Sequence, residues 1–213
     1  MSDGFGHEIP HEGETNDWIT PRWVIDAFNS LRGGEWFFDL DPCSSMTQPW
    51  PTAKERYTVA DDGLNKPWHG VVYCNPPYGP HTKKWVTKLA RHGEGIALIF
   101  ARCETKLWQE EIFPTASGFV FPARRLAFAR PDGTTPKASA GAPSAFISWG
   151  NHCRDALIQL VSDGGIEGAF LDMAFYTRSG FGWESTIPAH DAVRTTTARG
   201  ARTPRTSVGV ERS

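Results

Sequence analysis

Short apolar runs recur along the chain, and each is bounded by polar residues, glycine or proline. Runs of this length that are rich in aromatic and β-branched residues predict buried β-strands. The predicted strands lie at 36–40, 71–74, 96–100, 118–121 and 144–149.

Between these runs, apolar residues recur at helical spacing. The stripe that follows Thr20-Pro21 predicts a helix with Thr20 as its N-cap, ended by Gly33-Gly34. The stretches 81–92 and 104–113 also predict helices, and 154–161 fits either a helix or a strand. Strands that alternate with helices predict an α/β fold with a mostly parallel sheet flanked by helices.

Three stretches lack this periodicity. Residues 1–16 are polar and Gly-rich, which predicts a disordered arm, and 129–143 predicts an unusually long loop. Residues 188–213 predict a flexible basic tail, whose net charge of +3 contrasts with −5 for the rest of the chain. We expect one domain over 17–187.

Composition narrows the class of protein. With 213 residues, 39% hydrophobic and 22% charged, the chain is typical of a soluble globular domain. It has no apolar run of about 18 residues and no signal-peptide pattern at its start, so we expect a cytoplasmic protein with no membrane partner. Its four cysteines are scattered without metal-ligand spacing, and we expect no metal. No feature of the sequence sets the oligomeric state.

The tetrapeptide Asn75-Pro76-Pro77-Tyr78 follows the run 71–74, where an α/β sheet places ligands. The N6 lone pair of adenine is delocalised into the ring, so an enzyme that alkylates it needs acceptors for both N–H groups. The Asn75 side-chain oxygen and the Pro76 carbonyl are candidates, held in advance by the stiff prolines. Tyr78 offers a face to a base swung out of a duplex.

The same four residues are good turn formers, so a Pro-rich turn without chemistry is the competing interpretation. A turn would not need all four in this order behind a buried strand, and we favour the catalytic hypothesis. Two further motifs are weaker: FDLDPC at 38–43 and DDGL at 61–64. Their carboxylates suit a nucleoside-like cofactor, but each alone also fits a solvated turn.

Taken together, these motifs resemble the phage-type DNA N-6-adenine methyltransferase family, over roughly residues 18–150. The matching stretches are WITP at 18–21, FDLDPC at 38–43, DDGL at 61–64, YCNPPYG at 73–79, ARCETKLW at 101–108, RLAF at 125–128 and APSA at 142–145. The NPPY motif alone is shared by many amine methylases, whereas the whole series is much more specific.

The resemblance implies a Rossmann-like fold, S-adenosylmethionine as cofactor and DNA as substrate. It implies that Asn75, Pro76, Pro77 and Tyr78 form the catalytic motif. Thr20-Pro21 and the Asp41 region would meet the methionine end of the cofactor, and Asp61 or Asp62 its adenosine. The full set of implied cofactor residues is Thr20, Pro21, Asp39, Asp41, Pro42, Asp61, Asp62 and Gly63.

Two departures from the family pattern bear on the fold. The Gly-rich cofactor loop expected after the first strand is replaced by DPCSS at 41–45. Only 34 positions separate Asp41 from Asn75, which is short for two β–α units. We therefore expect a reduced strand count.

Candidate DNA contacts follow the third and fourth main predicted strands and flank the long loop. They are Arg102, Lys106, Arg124 and Arg125, with Arg130 and Lys137 near them. Arginine and lysine on such loops commonly meet phosphates and base edges. The competing interpretation is that Arg125 merely covers apolar surface with its stem.

Two other classes of function stay open at this point. One is a methylase of another planar amine: cytosine N4, an RNA base or a glutamine side chain. Methyl transfer from labelled cofactor to DNA, RNA or protein separates these. The other is a catalytically silent DNA-binding module, which would bind DNA without being stabilised by the cofactor.

Overall fold

The computed structural model describes residues 18–135 and 141–173. The arm predicted at 1–16, the tail predicted at 188–213 and Lys137 lie outside the described residues. The domain limits 17–187 stay a prediction.

Seven strands form one mixed sheet in the order β2-β1-β3-β4-β6-β5-β7, so the expectation of a reduced strand count is wrong. The strands are β1 (Leu40–Asp41), β2 (Glu55–Arg56), β3 (Val72–Cys74), β4 (Gly95–Phe100), β5 (Gly118–Pro122), β6 (Ser144–Trp149) and β7 (Gly168–Asp172). The pairs β2–β1, β1–β3 and β3–β4 are parallel, whereas β4–β6, β6–β5 and β5–β7 are antiparallel. The α/β class is confirmed, but only the half of the sheet from β2 to β4 is parallel.

Helices cover both faces of the sheet. They are α1 (Arg22–Ser30), α2 (Thr82–His92) and α3 (Asn151–Ser162), with a π-helix at Leu107–Ile112 and a 3-10 turn at Val59–Asp61. Because side chains alternate along a strand, Tyr73 packs in the cluster under α1 and α3, while Val72 and Cys74 pack under α2 and the π-helix. The central strands are therefore buried on both faces.

Several local predictions need correction. In the predicted strand 36–40 only Leu40 belongs to a strand, although Phe38 and Asp39 also form backbone hydrogen bonds with neighbouring segments. The predicted helix 104–113 is the shorter π-helix. Thr20 is not the N-cap of α1: Pro21 holds that position and no side chain caps the helix. The hydroxyl of Thr20 is instead bonded in the interior, as described below.

The ambiguous stretch 154–161 belongs to α3, and two strands were not predicted. Strand β2 consists of exposed Glu55-Arg56 and forms no apolar run, whereas β7 has a short apolar run at 169–171 but alternates half-exposed with exposed residues. The interval between Asp41 and Asn75, described throughout, holds β2, the 3-10 turn and β3, and no α-helix.

Candidate active site

A cavity of about 490 Å³ opens at the carboxyl ends of β1 and β3, a size typical of small-molecule sites. These two strands are parallel neighbours, with Leu40 opposite Val72, so Asp41 and Asn75 leave the sheet at the same edge. The cavity walls come from the loop after β1 within 41–48, the turn within 58–63 and the corner 75–78. The edge is thus where a ligand of α/β proteins is expected.

The side-chain amide of Asn75 has a defined orientation. Its Nδ2 donates to the carbonyl oxygen of Trp18 at 2.5 Å and to Oγ1 of Thr20 at 3.2 Å. A carbonyl oxygen can only accept, so the amide nitrogen must lie on this side and Oδ1 on the other. Oδ1 is buried and has no hydrogen-bond partner among the described residues. The corner therefore carries a fixed, unused acceptor.

The segment 18–20, which we call the strap, holds this amide in place. Oγ1 of Thr20 lies 2.8 Å from the hydroxyl of Tyr73, and Thr20 is buried. The indole of Trp50 donates to the Thr20 carbonyl at 3.0 Å. Ile19 forms an antiparallel bridge with Ala129, whose N–H donates to the Ile19 carbonyl at 2.9 Å. The strap is thus anchored on three sides.

The prolines of the corner differ in their surroundings. Pro76 is buried and Pro77 is exposed. The hydroxyl of Thr82, at the start of α2, donates to the Pro77 carbonyl at 2.9 Å. The Pro77 carbonyl is therefore engaged within the chain.

Tyr78 lies in an aromatic cluster with Trp18, Phe100 and Phe128. Its ring stacks on Phe100 with centroids 4.2 Å apart, and Trp18 approaches Tyr78 edge-on at 6.2 Å. One face of Tyr78 is thus covered, and a further ring can stack only on the opposite face. The Tyr78 hydroxyl is buried without a partner among the described residues, and burial raises its pKa far above the ordinary value. Tyr78 is therefore neutral.

Of the two carboxylates in FDLDPC, only Asp41 lines the cavity. It is buried, and it accepts hydrogen bonds from the Cys43 N–H at 3.1 Å and the Thr52 hydroxyl at 2.5 Å. Burial raises the pKa of Asp41 to about 6. Asp39 instead pairs with Lys54 at 2.8 Å and accepts from the Val71 N–H.

Of the two aspartates in the DDGL turn, one also lines the cavity and the other does not. Asp61 accepts from the Thr58 N–H and from Lys66, each at 2.9 Å, and does not line the cavity. Asp62 and Gly63 line it, and Asp62 adopts a left-handed backbone with φ of 53°. Such strained backbone occurs at ligand sites. The geometry therefore favours Asp62 over Asp61 as the residue that can contact a ligand in the cavity.

The turn is fastened to its neighbours. Nζ of Lys88 on α2 donates to the carbonyls of Gly63, Leu64 and Lys66. A β-carbon on Gly63 would collide with the Pro42 carbonyl oxygen, so the turn packs directly against the loop after β1.

Unpartnered polar atoms concentrate in the cavity. Among the described residues, five buried side-chain nitrogen or oxygen atoms lack a hydrogen-bond partner, and four of these belong to residues that line the cavity. They are Ser44 Oγ, Gln48 Nε2, Asn75 Oδ1 and Tyr78 Oη. Buried polar groups in proteins are normally paired, so this concentration indicates a ligand.

The remaining predicted residues lie outside the cavity lining. Pro21, Asp39 and Asp61 do not line it, and Arg102, Lys106, Arg124 and Arg125 are exposed elsewhere. The Arg102 guanidinium lies 5.9 Å from the centroid of the Phe100 ring, next to the aromatic cluster. The prediction for these four basic residues stays a prediction.

Sequence reasoning missed Ser44, Gln48 and Trp85, which all line the cavity. Ser44 and Gln48 lie in a loop with no motif of its own. Trp85 lies in the helix predicted at 81–92, and helical periodicity cannot distinguish a residue that faces the core from one that lines a cavity.

The part of the chain that the structure describes contains no cluster of histidine, cysteine or acidic side chains suited to a metal ion. Within the same residues, no helix is both long and apolar enough to cross a bilayer.

Comparison with known proteins assigns the family. The sequence matches the family described as DNA N-6-adenine-methyltransferase (Dam) over residues 9–161. Neither the curated proteins nor the solved structures gave a match. The matched segment contains the strap, the cavity and the corner 75–78. The chain therefore belongs to the DNA N-6-adenine-methyltransferase (Dam) family.

Proposed function

We propose that the protein transfers a methyl group from S-adenosylmethionine to the N6 amino group of adenine in DNA, on a Rossmann-like fold. The observation that carries the proposal is the oriented, buried and unused Oδ1 of Asn75. The amine that receives the methyl group needs an oxygen that accepts a hydrogen bond from its N–H, not a general base. An asparagine amide supplies such an oxygen and does not titrate.

Asn75 and Pro76 would bind the amine together. Oδ1 of Asn75 accepts one N6–H and the Pro76 carbonyl accepts the other, since the Pro77 carbonyl is already engaged by Thr82. Two acceptors on the amine draw its nitrogen towards a pyramidal geometry and aim the lone pair into the cavity. The acceptors are held before substrate arrives, which lowers the reorganisation needed for reaction.

Tyr78 would position the base. The face of its ring opposite Phe100 stacks on the adenine, while the edge of Trp18 limits sliding. Stacking of this kind contributes about 1–3 kcal/mol per base. It also compensates the cost of taking the base out of the duplex.

The cavity fits the cofactor in size and chemistry. Its carboxylates, Asp41 and Asp62, suit an ammonium group and sugar or base N–H groups, and unpartnered polar atoms remain to be satisfied. When bound, the cofactor supplies an activated methyl group on a sulfonium. The chain's own contribution is to hold the nitrogen in line with that methyl and to exclude water.

The exposed basic residues would meet the DNA backbone. Arg102 lies beside the aromatic cluster, and Arg124 and Arg125 precede Ala129, which is bonded to the strap. Phosphate contacts from such residues set the orientation of the duplex without reading its sequence.

The test is Asn75→Ala. Loss of the acceptor should lower methyl transfer to plasmid DNA at least about 100-fold, while calorimetry should show nearly unchanged cofactor affinity. Mass spectrometry of the product nucleosides identifies the base modified by the wild type. Asn151→Ala, an exposed asparagine on α3, is the matched control and should keep full activity. A normal rate in Asn75→Ala, or a wild type that modifies cytosine, RNA or protein instead, refutes the proposal.

A further inference from the structure

At four positions of the loop after β1, namely 42, 43, 44 and 48, no backbone N–H is free to meet a ligand. Pro42 has no N–H, the Cys43 N–H donates to Asp41, and the Ser44 N–H donates to the Tyr57 carbonyl at 2.9 Å. Further along, the Gln48 N–H donates to the Ser45 carbonyl at 3.2 Å. A Gly-rich loop binds ligand anions through such N–H groups, whereas the N–H groups of Cys43, Ser44 and Gln48 are engaged internally.

Two side-chain donors of the same loop are unused. Ser44 Oγ and Gln48 Nε2 are buried, have no hydrogen-bond partner among the described residues and belong to residues that line the cavity. Ser44 is only 6% exposed, so its hydroxyl is largely shielded from bulk solvent. Both groups can donate to an anionic oxygen.

The charges of the wall define what the loop can bind. No lysine or arginine is among the described residues that line the cavity, and the loop's only carboxylate is Asp41. An anionic group on a ligand therefore meets neutral donors from Ser44 and Gln48, while a cationic group next to it meets Asp41. This pattern is complementary to an α-amino acid, which carries a carboxylate and an ammonium on one carbon.

We propose that the side chains of Ser44 and Gln48 bind the carboxylate of the cofactor's methionine moiety, in place of the backbone N–H groups of a Gly-rich loop. The inference rests on the proposed use of S-adenosylmethionine. It assigns a role to two residues for which the sequence offered no motif, and it explains how a loop without glycine can serve this site.

The test compares two ligands that differ only at this end. S-adenosylhomocysteine carries the amino acid group, and 5′-methylthioadenosine lacks it. Ser44→Ala and Gln48→Ala should each weaken binding of S-adenosylhomocysteine about tenfold in calorimetry without DNA, and change the affinity for methylthioadenosine less than about twofold. Because Ser44→Ala removes only an unpartnered hydroxyl, we expect the variant to fold.

The matched controls are Ser144→Ala and Gln159→Ala. Of the five unpartnered buried atoms among the described residues, Ser144 Oγ is the one outside the cavity lining, and Gln159 is exposed. Both should bind the two ligands as the wild type does. If Ser44→Ala and Gln48→Ala lose affinity equally for both ligands, or lose affinity for neither, the two side chains do not bind the carboxylate. This result leaves the proposed function itself standing. Failure of the wild type to bind S-adenosylhomocysteine overturns the proposed function as well.

Discussion

Thr20 connects the candidate catalytic asparagine to the hydrophobic core. Its hydroxyl lies within hydrogen-bond distance of both the Tyr73 hydroxyl and the Asn75 amide. The family resemblance implies a contact between Thr20 and the cofactor, and Thr20 lines the cavity; its hydroxyl also forms bonds that orient Asn75. We therefore regard Thr20 as a positioning residue for the amide.

Replacing Thr20 by valine keeps the side-chain shape and removes the hydroxyl. The Asn75 amide would keep only the Trp18 carbonyl as a partner for Nδ2, so its orientation would be less well defined. We expect kcat for DNA methylation to fall about tenfold, with cofactor affinity within about twofold of the wild type. Thr20→Ser restores the hydroxyl and should restore kcat. An equal loss in the serine variant would point to packing instead.

Asp41 gives the site a dependence on pH. Its folded-state pKa is about 6, against an ordinary value of 3.8, because the carboxyl is buried. Between these values the folded protein binds more protons than the unfolded chain, so the free energy of unfolding decreases as pH rises through this window. The ionised carboxylate that suits a cofactor ammonium is therefore present at a cost in stability.

Urea denaturation of the wild type and Asp41→Asn, without ligand, measures this cost. As pH falls from about 7 to about 5, the wild type should gain about 1 kcal/mol of stability relative to the variant. Other titrating groups cancel in the difference. Thr52 can turn its hydroxyl to accept from the new amide, so the variant should fold. A difference that is constant over this range would contradict a raised pKa at Asp41.

At the scale of elements, the DDGL turn depends on close packing. Gly63 touches the loop after β1, and Lys88 holds the turn from the other side through three backbone carbonyls. These contacts fix the turn that carries Asp62 against the cavity. We infer that cofactor affinity depends on the separation of this turn from Pro42.

Gly63→Ala tests this dependence. The added methyl group collides with the backbone oxygen of Pro42, so the turn must move away from the loop after β1. We expect cofactor affinity to fall at least about tenfold, measured by calorimetry. Gly141→Ala is the control, because a β-carbon there meets no atom of the described residues within 4 Å. Wild-type affinity in Gly63→Ala would show that the turn does not contribute to binding.

The sequence predicted the central elements well and the margins poorly. Strands β3, β4 and β6 are buried on both faces and appear as continuous apolar runs. Strand β2 has two exposed residues, so its pairing depends on neighbours that are remote in sequence. In the same way, NPPY indicated the acceptor Asn75, but nothing local could distinguish Asp41 from Asp39 or reveal the unused donors of Ser44 and Gln48.

At the scale of the whole molecule, the alternation of strands and helices along the sequence did not predict the direction of every strand. The described part of the connection from β5 to β6 contains no helix, and these strands pair antiparallel, as strands joined without a crossover helix do. Because β6 lies between β4 and β5 and β7 lies beyond β5, strands β6 and β7 run opposite to the other five, and every pair beyond β4 is antiparallel. The parallel half carries the cavity, so the candidate site was predictable even though the complete sheet was not.

The bridge between Ile19 and Ala129 joins two regions with different tasks. On one side the strap presents the Trp18 carbonyl to Asn75, and on the other the chain continues back to the exposed Arg124 and Arg125. If these arginines bind phosphate as proposed, DNA binding and the orientation of the Asn75 amide are connected through this bridge. A duplex bound in the wrong register would then leave the Asn75 amide misaligned. Sequence specificity would therefore depend on the position of the DNA backbone as well as on contacts with the bases.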